Sequence, residues 1–236
     1  MLQYYKVAGL TLQMDSFGYT VTQAEPYSCT SSAYPDIVIH SEWKNLKKRQ
    51  PHLSDEDCEY LSTGGSFYYQ LLKFDGMLLH ASAAVIGGKA YLFSAPCGTG
   101  KSTHTALWKK TFGEDKVQIL NDDKPALRLE EGVWYAYGTP WSGKTDQNIN
   151  MKAPIAGICF LHQAKENEIK PFTGSKVIFS IFEQTARPRG AEERAKILEL
   201  TGKLVEKVPI WQMGCNMNPE AAYLSYSTMS QSPLGE

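Results

Sequence analysis

The 236-residue sequence has no apolar run approaching the roughly 20 residues that a membrane-spanning helix needs. Its first ten residues, MLQYYKVAGL, lack the basic stretch and apolar core of a secretion signal, so a cytoplasmic protein is expected. An excess of charge of one sign is also missing: 24 Lys and Arg stand against 25 Asp and Glu. Bulk attraction to nucleic acid or to a membrane surface is thereby excluded, and small molecules or peptides are the expected partners. The five cysteines, Cys29, Cys58, Cys97, Cys159 and Cys215, are odd in number and widely scattered. They give neither a disulfide framework nor a close-spaced zinc site, and free thiols follow. The five histidines show no H-x-x-x-H spacing, and no internal repeat or low-complexity tract is present.

What is there falls into two parts. YKVAGLTLQM alternates loosely as a strand and PDIVIH is a second short apolar run, which together predict a small β-rich module with a linker over residues 1–65. The polar stretch Ser41 to Tyr60, with its charges and Pro51, is the linker or excursion. Residues 66–236 are denser in apolar residues. MLLHASAAVI and KAYLFSA predict paired strands around a Gly87-Gly88 turn, THTALWKKTF a helix, and VQIL a buried strand that ends at NDD. ALRLEEGVWYAYG reads as two strands about Glu131-Gly132, IAGICFLHQ as another, AEERAKILELTGKLVEKV as a helix and PIWQMGC as a closing strand. The fold class expected is α/β.

The strand KAYLFSA runs directly into CGTGKST. A phosphate-binding loop needs small residues so that successive backbone N–H groups point inward, followed by a helix N-terminus whose dipole favours an anion. Cys97, Gly98, Thr99, Gly100, Lys101, Ser102 and Thr103 supply this pattern. Lys101 would reach the terminal phosphates and Ser102 would present its hydroxyl to Mg²⁺. Ala95 stands where such loops usually begin with glycine, which is tolerable if the backbone there keeps a negative φ. Cys97 is either a thiol sensitive to the local field or small-residue filler.

Asp122 and Asp123 follow the VQIL strand, at the edge of an α/β sheet where ligands bind. Two adjacent carboxylates need a metal or a cationic group to compensate them. One could hold Mg²⁺ and the other accept a proton, as in phosphoryl transfer to an alcohol; the alternative is an ordinary acidic turn. His80 places one polar ring in an apolar stretch, either in the site or as a satisfied core histidine. GTPWSGK, with Lys144 and an exposed-looking Trp141, suits a loop that closes over phosphates or grips an acceptor; otherwise it is a turn in which Trp141 caps the core. Arg187, Arg189 and Arg194 read mainly as solvated surface near a helix start.

In this order and spacing, LLHASAAV, CGTGKST and LNDDKPAL resemble the HPr kinase/phosphorylase superfamily, whose nucleotide domain is similar to that of phosphoenolpyruvate carboxykinase. The stretches HAS, GKSTHT, NDDKP and GTPWSGK look most like HPr-kinase-like proteins and kinases of peptide-biosynthesis clusters. The resemblance covers about Leu78 to Gly143, with a weaker echo in EKVPIWQMGCNMNPEAA. It implies that Lys101 holds phosphates, Ser102 and Asp123 hold Mg²⁺, Asp122 is the general base and His80 lies beside that catalytic acid; Lys144, by its charge alone, could neutralise a transferring phosphoryl group. ATP or another nucleoside phosphate would be the donor, and self-association is implied as well. Thr103 stands where HPr kinases carry an acidic residue, and their downstream glycine-rich signature is missing, so HPr itself is not the expected acceptor.

The expectation is therefore a small β-rich module joined to a phosphate-loop domain that transfers a phosphoryl group to a serine-like hydroxyl of a peptide or small molecule. A nucleotide-binding regulatory or assembly protein without transfer activity, or a nucleotide hydrolase, is the alternative.

Overall fold

The computed structural model describes residues 3–30, 34–186 and 190–231; the side chain of Lys144 lies outside the description. The chain opens with β1 (Gln3–Val7) and β2 (Leu10–Asp15), then α1 (Tyr19–Ala24), β3 (Ile37–His40), α2 (Trp43–Arg49) and α3 (Asp55–Leu71). The larger part contains β4 (Gly76–Leu78), β5 (Ala81–Ile86), β6 (Lys89–Ser94), α4 (Lys101–Phe112), β7 (Gln118–Asn121), β8 (Ala126–Glu130) and β9 (Val133–Tyr137). It continues through β10 (Lys152–Gln163), β11 (Glu168–Pro171), α5 (Ser175–Glu183), α6 (Ala191–Lys207) and β12 (Ile210–Cys215) to α7 (Pro219–Ser230).

The result is a mixed α/β fold with a three-stranded sheet, β1-β2-β3, beside a nine-stranded one in the order β4-β8-β9-β10-β6-β5-β7, with β12 on β10 and β11 on β12. Strand β10 organises the large sheet. Its first residues pair antiparallel with β9, and its later ones pair parallel with β6 and with β12. Its burial is nearly continuous from Ile155 to Leu161, as a strand covered on both faces requires. The Gly87-Gly88 turn joins β5 and β6 as expected, and the turn at Glu131-Gly132 joins β8 and β9. Helix α6 buries Ile197, Leu200 and Leu204, one face at helical spacing, against the sheet. Among the described residues no helix is long and apolar enough to cross a membrane. All five cysteines are free thiols.

Three expectations change. YKVAGLTLQM is a hairpin, turning at Ala8 (φ 51°) and Gly9 (φ 77°). The stretch Ser41 to Tyr60 is no linker: it forms α2 and the first turns of α3. Ser54 accepts from the Asp57 amide at 2.9 Å and Asp57 reaches back to Ser54, a capping box that starts a helix within a charged segment. PIWQMGC does not close the chain, because α7 follows and packs on α4, where Ser225 accepts a hydrogen bond from the buried Trp108 indole at 2.8 Å. The proposed division between residues 65 and 66 falls inside α3. Phe67 and Leu71 of that helix share one core with Tyr5, Leu12 and Ile39 of the small sheet and with Tyr137 and Trp141 of the large part.

Two buried ionisable groups carry opposite pH dependences. His104, 3% exposed and bonded to Ser225 at 3.0 Å, is held down to about 4 by burial, against about 6.5 in water. Glu59 is fully buried and lacks a well-formed hydrogen bond at either oxygen; burial raises it to about 7, only partly offset by the Thr20 hydroxyl and the Phe17 amide. His104 costs stability as pH falls from about 6.5 to 4, because the unfolded chain takes up that proton first. Glu59 costs stability as pH rises from about 4.5 to 7, because the unfolded chain releases that proton first, each effect amounting to at most roughly 3 kcal/mol. Glu59→Gln is therefore expected to raise the melting temperature at pH 7 more than at pH 5. His104→Asn should reduce the loss between pH 6.5 and 4.5. Melting curves across this range check both slopes.

Candidate functional site

Strand β5 lies between β6 and β7, pairing antiparallel with both. Its start, at His80 to Ser82, therefore sits between the end of β6, which leads into the loop at 95–100, and the end of β7, which leads into Asp122 and Asp123. Strand order alone gathers the three stretches singled out in the sequence at one sheet edge.

In the loop, Gly98 (φ 78°) and Gly100 (φ 118°) take the left-handed backbone that favours glycine. Ala95 is not among the positive-φ residues; its methyl is packed in the core, 1% exposed, and its carbonyl accepts a hydrogen bond from Lys101 Nζ at 3.1 Å. The loop's unusual first residue is thus accommodated. Gly100 caps α4 without a side-chain hydrogen bond, which leaves first-turn N–H groups for an anion. Burial pushes the Lys101 ammonium pKa down, and attraction to Asp123, Cys97 and Asp122 opposes this. Ser102 and Thr103 open onto the same cavity.

The two carboxylates are held differently. Asp122, 4% exposed, accepts hydrogen bonds from Ser82 Oγ and Thr145 Oγ1, both at 2.6 Å. Asp123 faces His80 Nε2 at 3.1 Å and is ion-paired with Lys124. Burial acts to raise the Asp123 carboxyl, but the His80 hydrogen bond and the Lys124 charge outweigh it and bring it down to about 2. His80 is fixed in turn by Gln184 Oε1, 2.9 Å from Nδ1. The histidine therefore contacts Asp123, whereas the resemblance implied a place beside Asp122. Asn121 shapes the turn: its side-chain oxygen accepts from the Asp123 and Lys124 amides at 3.0 and 2.6 Å, and its amide donates to Thr139. Asn121 is absent from the expected site residues, although Asn is a residue type that favours such an Asx turn. Ser82, Thr145 and Gln184 carried no sequence signal, since nothing local marks a hydroxyl or amide that acts across the fold.

The GTPWSGK loop divides in two. Trp141 is not exposed but fully buried, stacked on Phe67 at 4.9 Å and donating to Thr63 Oγ1 at 3.2 Å. A large indole gains most from burial, and α3 supplies the cover. Trp141 thus fastens the loop so that Ser142, Gly143 and Thr145 line the cavity. A Cβ at Gly143 would lie 2.8 Å from Asp123 Cβ, so the close approach requires glycine. The Lys144 side chain, like Arg187 and Arg189, lies outside the described residues, and Arg194 is in the first turn of α6.

Two cavities meet at the loop and share Gly98, Gly100 and Thr103. One, about 900 Å³, holds Lys101, Ser102, His80 and both aspartates. The other, about 410 Å³, lies on the α4 and β12 side and includes Leu107, Gln163, Cys215 and Met217. The sequence pointed toward this second cavity only through the echo around GCNMNPEAA. Among the described residues no three His, Cys, Asp or Glu side chains converge on a metal position. The available donors, Ser102 and the two carboxylates, are oxygens, which suits Mg²⁺ that keeps waters and substrate phosphates as further ligands.

The family described as SynChlorMet cassette protein ScmC matches residues 53–220, from just before α3 into α7, and the chain belongs to that family. A comparison with curated proteins finds no match. Among solved structures the chain is similar to the Hpr(Ser) kinase/phosphatase from Coxiella burnetii, at 13% identity and a TM-score of 0.38, over 65% of this chain and 98% of that one.

If the loop holds nucleotide phosphates, Lys101→Ala is expected to weaken Mg²⁺-nucleotide binding roughly 10- to 100-fold, the loss of a charge-assisted contact. Calorimetry on both proteins checks it, and equal affinities would remove the loop from any nucleotide role.

Proposed function

We propose that this member of the ScmC family is a Mg²⁺-dependent phosphotransferase, with a domain of the HPr kinase and phosphoenolpyruvate carboxykinase type, that moves the terminal phosphoryl group of ATP or a similar nucleotide to a serine-like hydroxyl. One observation carries the reading: a glycine loop with a buried lysine and an Asp-His pair face one another across a single cavity. The description of the family as a cassette protein agrees with a part in a gene cluster. The nucleoside would lodge in the apolar cavity behind the loop, with its phosphates crossing Gly98 and Gly100.

Lys101 is held to the Ala95 carbonyl and can turn from it to phosphate oxygens. Ser102 and one aspartate would hold Mg²⁺, which neutralises charge on the phosphates when bound. Geometry favours Asp122 for that role, deep and acceptor-only, and Asp123 for the proton. Asp123 is the more exposed of the pair, and the His80-Gln184 chain fixes its orientation. This exchanges the roles implied by the resemblance. The acceptor hydroxyl gives its proton to the Asp123 carboxylate as its oxygen bonds to the terminal phosphorus. The bond from that phosphorus to the bridging oxygen breaks, and the nucleoside diphosphate leaves. The low pKa of Asp123 suits a late proton transfer in a loose transition state, where orienting the hydroxyl matters more than basicity.

Asp123→Asn should keep Mg²⁺-nucleotide affinity and lose roughly 10²-fold or more in single-turnover transfer. Asp122→Asn should instead weaken the Mg²⁺ dependence of nucleotide binding. The reverse pattern returns the base to Asp122. Wild-type transfer rates in both variants would overturn the roles given to the two aspartates; absence of transfer to any hydroxyl would end the phosphotransferase reading, and nucleotide turnover that ignores every acceptor would make the protein a hydrolase.

A further inference from the structure

The cavity at the aspartates extends well beyond them. Its volume of about 900 Å³ lies near the upper end for a small-molecule site, and the nucleoside has its own cavity behind the loop. The far wall comes from the N-terminal elements: Tyr19 of α1, Leu53 before α3, and Tyr60 and Leu61 of α3. The polar handles of these rings are already engaged. Tyr60 Oη accepts from the Gly143 amide at 2.9 Å, and Tyr19 Oη donates to Asp57 at 2.8 Å. Asp57 is occupied by Ser54 and Tyr19 together. Ring faces and leucine side chains make up most of what remains to meet a ligand, together with Gln23 of α1, whose side-chain oxygen is buried without a hydrogen-bond partner among the described residues, and the Tyr60 hydroxyl hydrogen. Leu61 is 44% exposed, a large apolar group at the cavity lip.

The spacing relates this wall to the chemistry. The Lys124 ammonium, paired with Asp123, lies 5.5 Å from the Tyr60 ring centroid, and the Tyr60 and Tyr19 ring centroids are 5.4 Å apart. Extended backbone advances about 3.3–3.6 Å per residue, so the Tyr60 ring lies within about two residues' reach of the Lys124-Asp123 pair and the Tyr19 ring within at most about three. We infer that the N-terminal module forms the acceptor-specificity wall, in which Tyr19, Tyr60, Leu53 and Leu61 recognise an aromatic or aliphatic group about two or three backbone units from the hydroxyl that is phosphorylated. This rests on the phosphotransferase reading and adds the class of acceptor. A peptide and a free aryl alcohol share that chemistry.

The test uses the whole protein with Mg²⁺ and a non-hydrolysable ATP analogue. Probes are a capped Gly-Gly-Ser-Gly-Gly peptide, the same peptide with Phe two positions before or after the serine, free serine, and 4-phenyl-1-butanol. Binding is measured by calorimetry, and transfer is measured separately with ATP. A Phe-containing peptide or the aryl alcohol should bind roughly tenfold tighter than the glycine peptide or serine, about the effect of covering one apolar side chain. Leu61→Ser and Leu61→Asp should abolish that advantage while nucleotide affinity and melting temperature stay unchanged, because the side chain is half exposed. A preference confined to the peptide, or shared by the alcohol, identifies the source. Equal binding of all probes, no binding at millimolar concentration, or a preference that survives both Leu61 variants overturns the wall. Transfer without preference would overturn the wall and leave the phosphotransferase reading standing; preference without transfer would do the opposite.

Discussion

Two neighbouring carboxylates at the end of β7 impose the constraint on which the rest of the site depends. Both are largely removed from water, and like charges so placed repel unless donors and cations surround them. The fold meets this by giving each a different environment. Hydroxyls from β5 and from the 143–145 turn satisfy Asp122, while His80 and Lys124 compensate Asp123. Ser82 and His80 come from the start of β5, Thr145 from the turn at 143–145 and Lys124 from the residue after Asp123, so this arrangement depends on the sheet order, the glycine at 143 and the Asn121 turn together.

The N-terminal elements are packed into the same arrangement. Helix α3 is continuous across the expected boundary and buries Trp141 through Phe67 and Thr63. That contact seats the 142–145 segment, whose Thr145 then reaches Asp122 and whose Gly143 amide reaches Tyr60. Packing in the module and geometry at the carboxylates are thereby coupled through a single aromatic anchor. A loop set on a rigid element in this way can position groups more closely than a free one.

Burial leaves the charge of Lys101 incompletely compensated. Desolvation disfavours its charge, and the carboxylates beyond it only partly restore the balance. The ammonium rests on a backbone carbonyl, a neutral acceptor. A phosphate would replace that acceptor with an anion, so the gain on binding is larger than for a lysine already paired with a carboxylate.

By itself the sequence determined the strand–loop–helix unit at 89–112, the hairpins at Gly87-Gly88 and Glu131-Gly132, and the presence of two acids at a strand end. These are local: turn residues, hydrophobic period and a short glycine motif set them within a few residues of chain. It left α2 and the start of α3 reading as linker, because charge masked a helix whose start depends on a Ser54-Asp57 cap. It also suggested an exposed Trp141. Only the tertiary structure decided that the indole is buried, that His80 belongs to Asp123, and that Ser82, Thr145 and Gln184 complete the cluster. Those outcomes join residues from about 20 to more than 100 positions apart, where pairing follows from which strands are neighbours and which faces must be covered, and no local pattern encodes that.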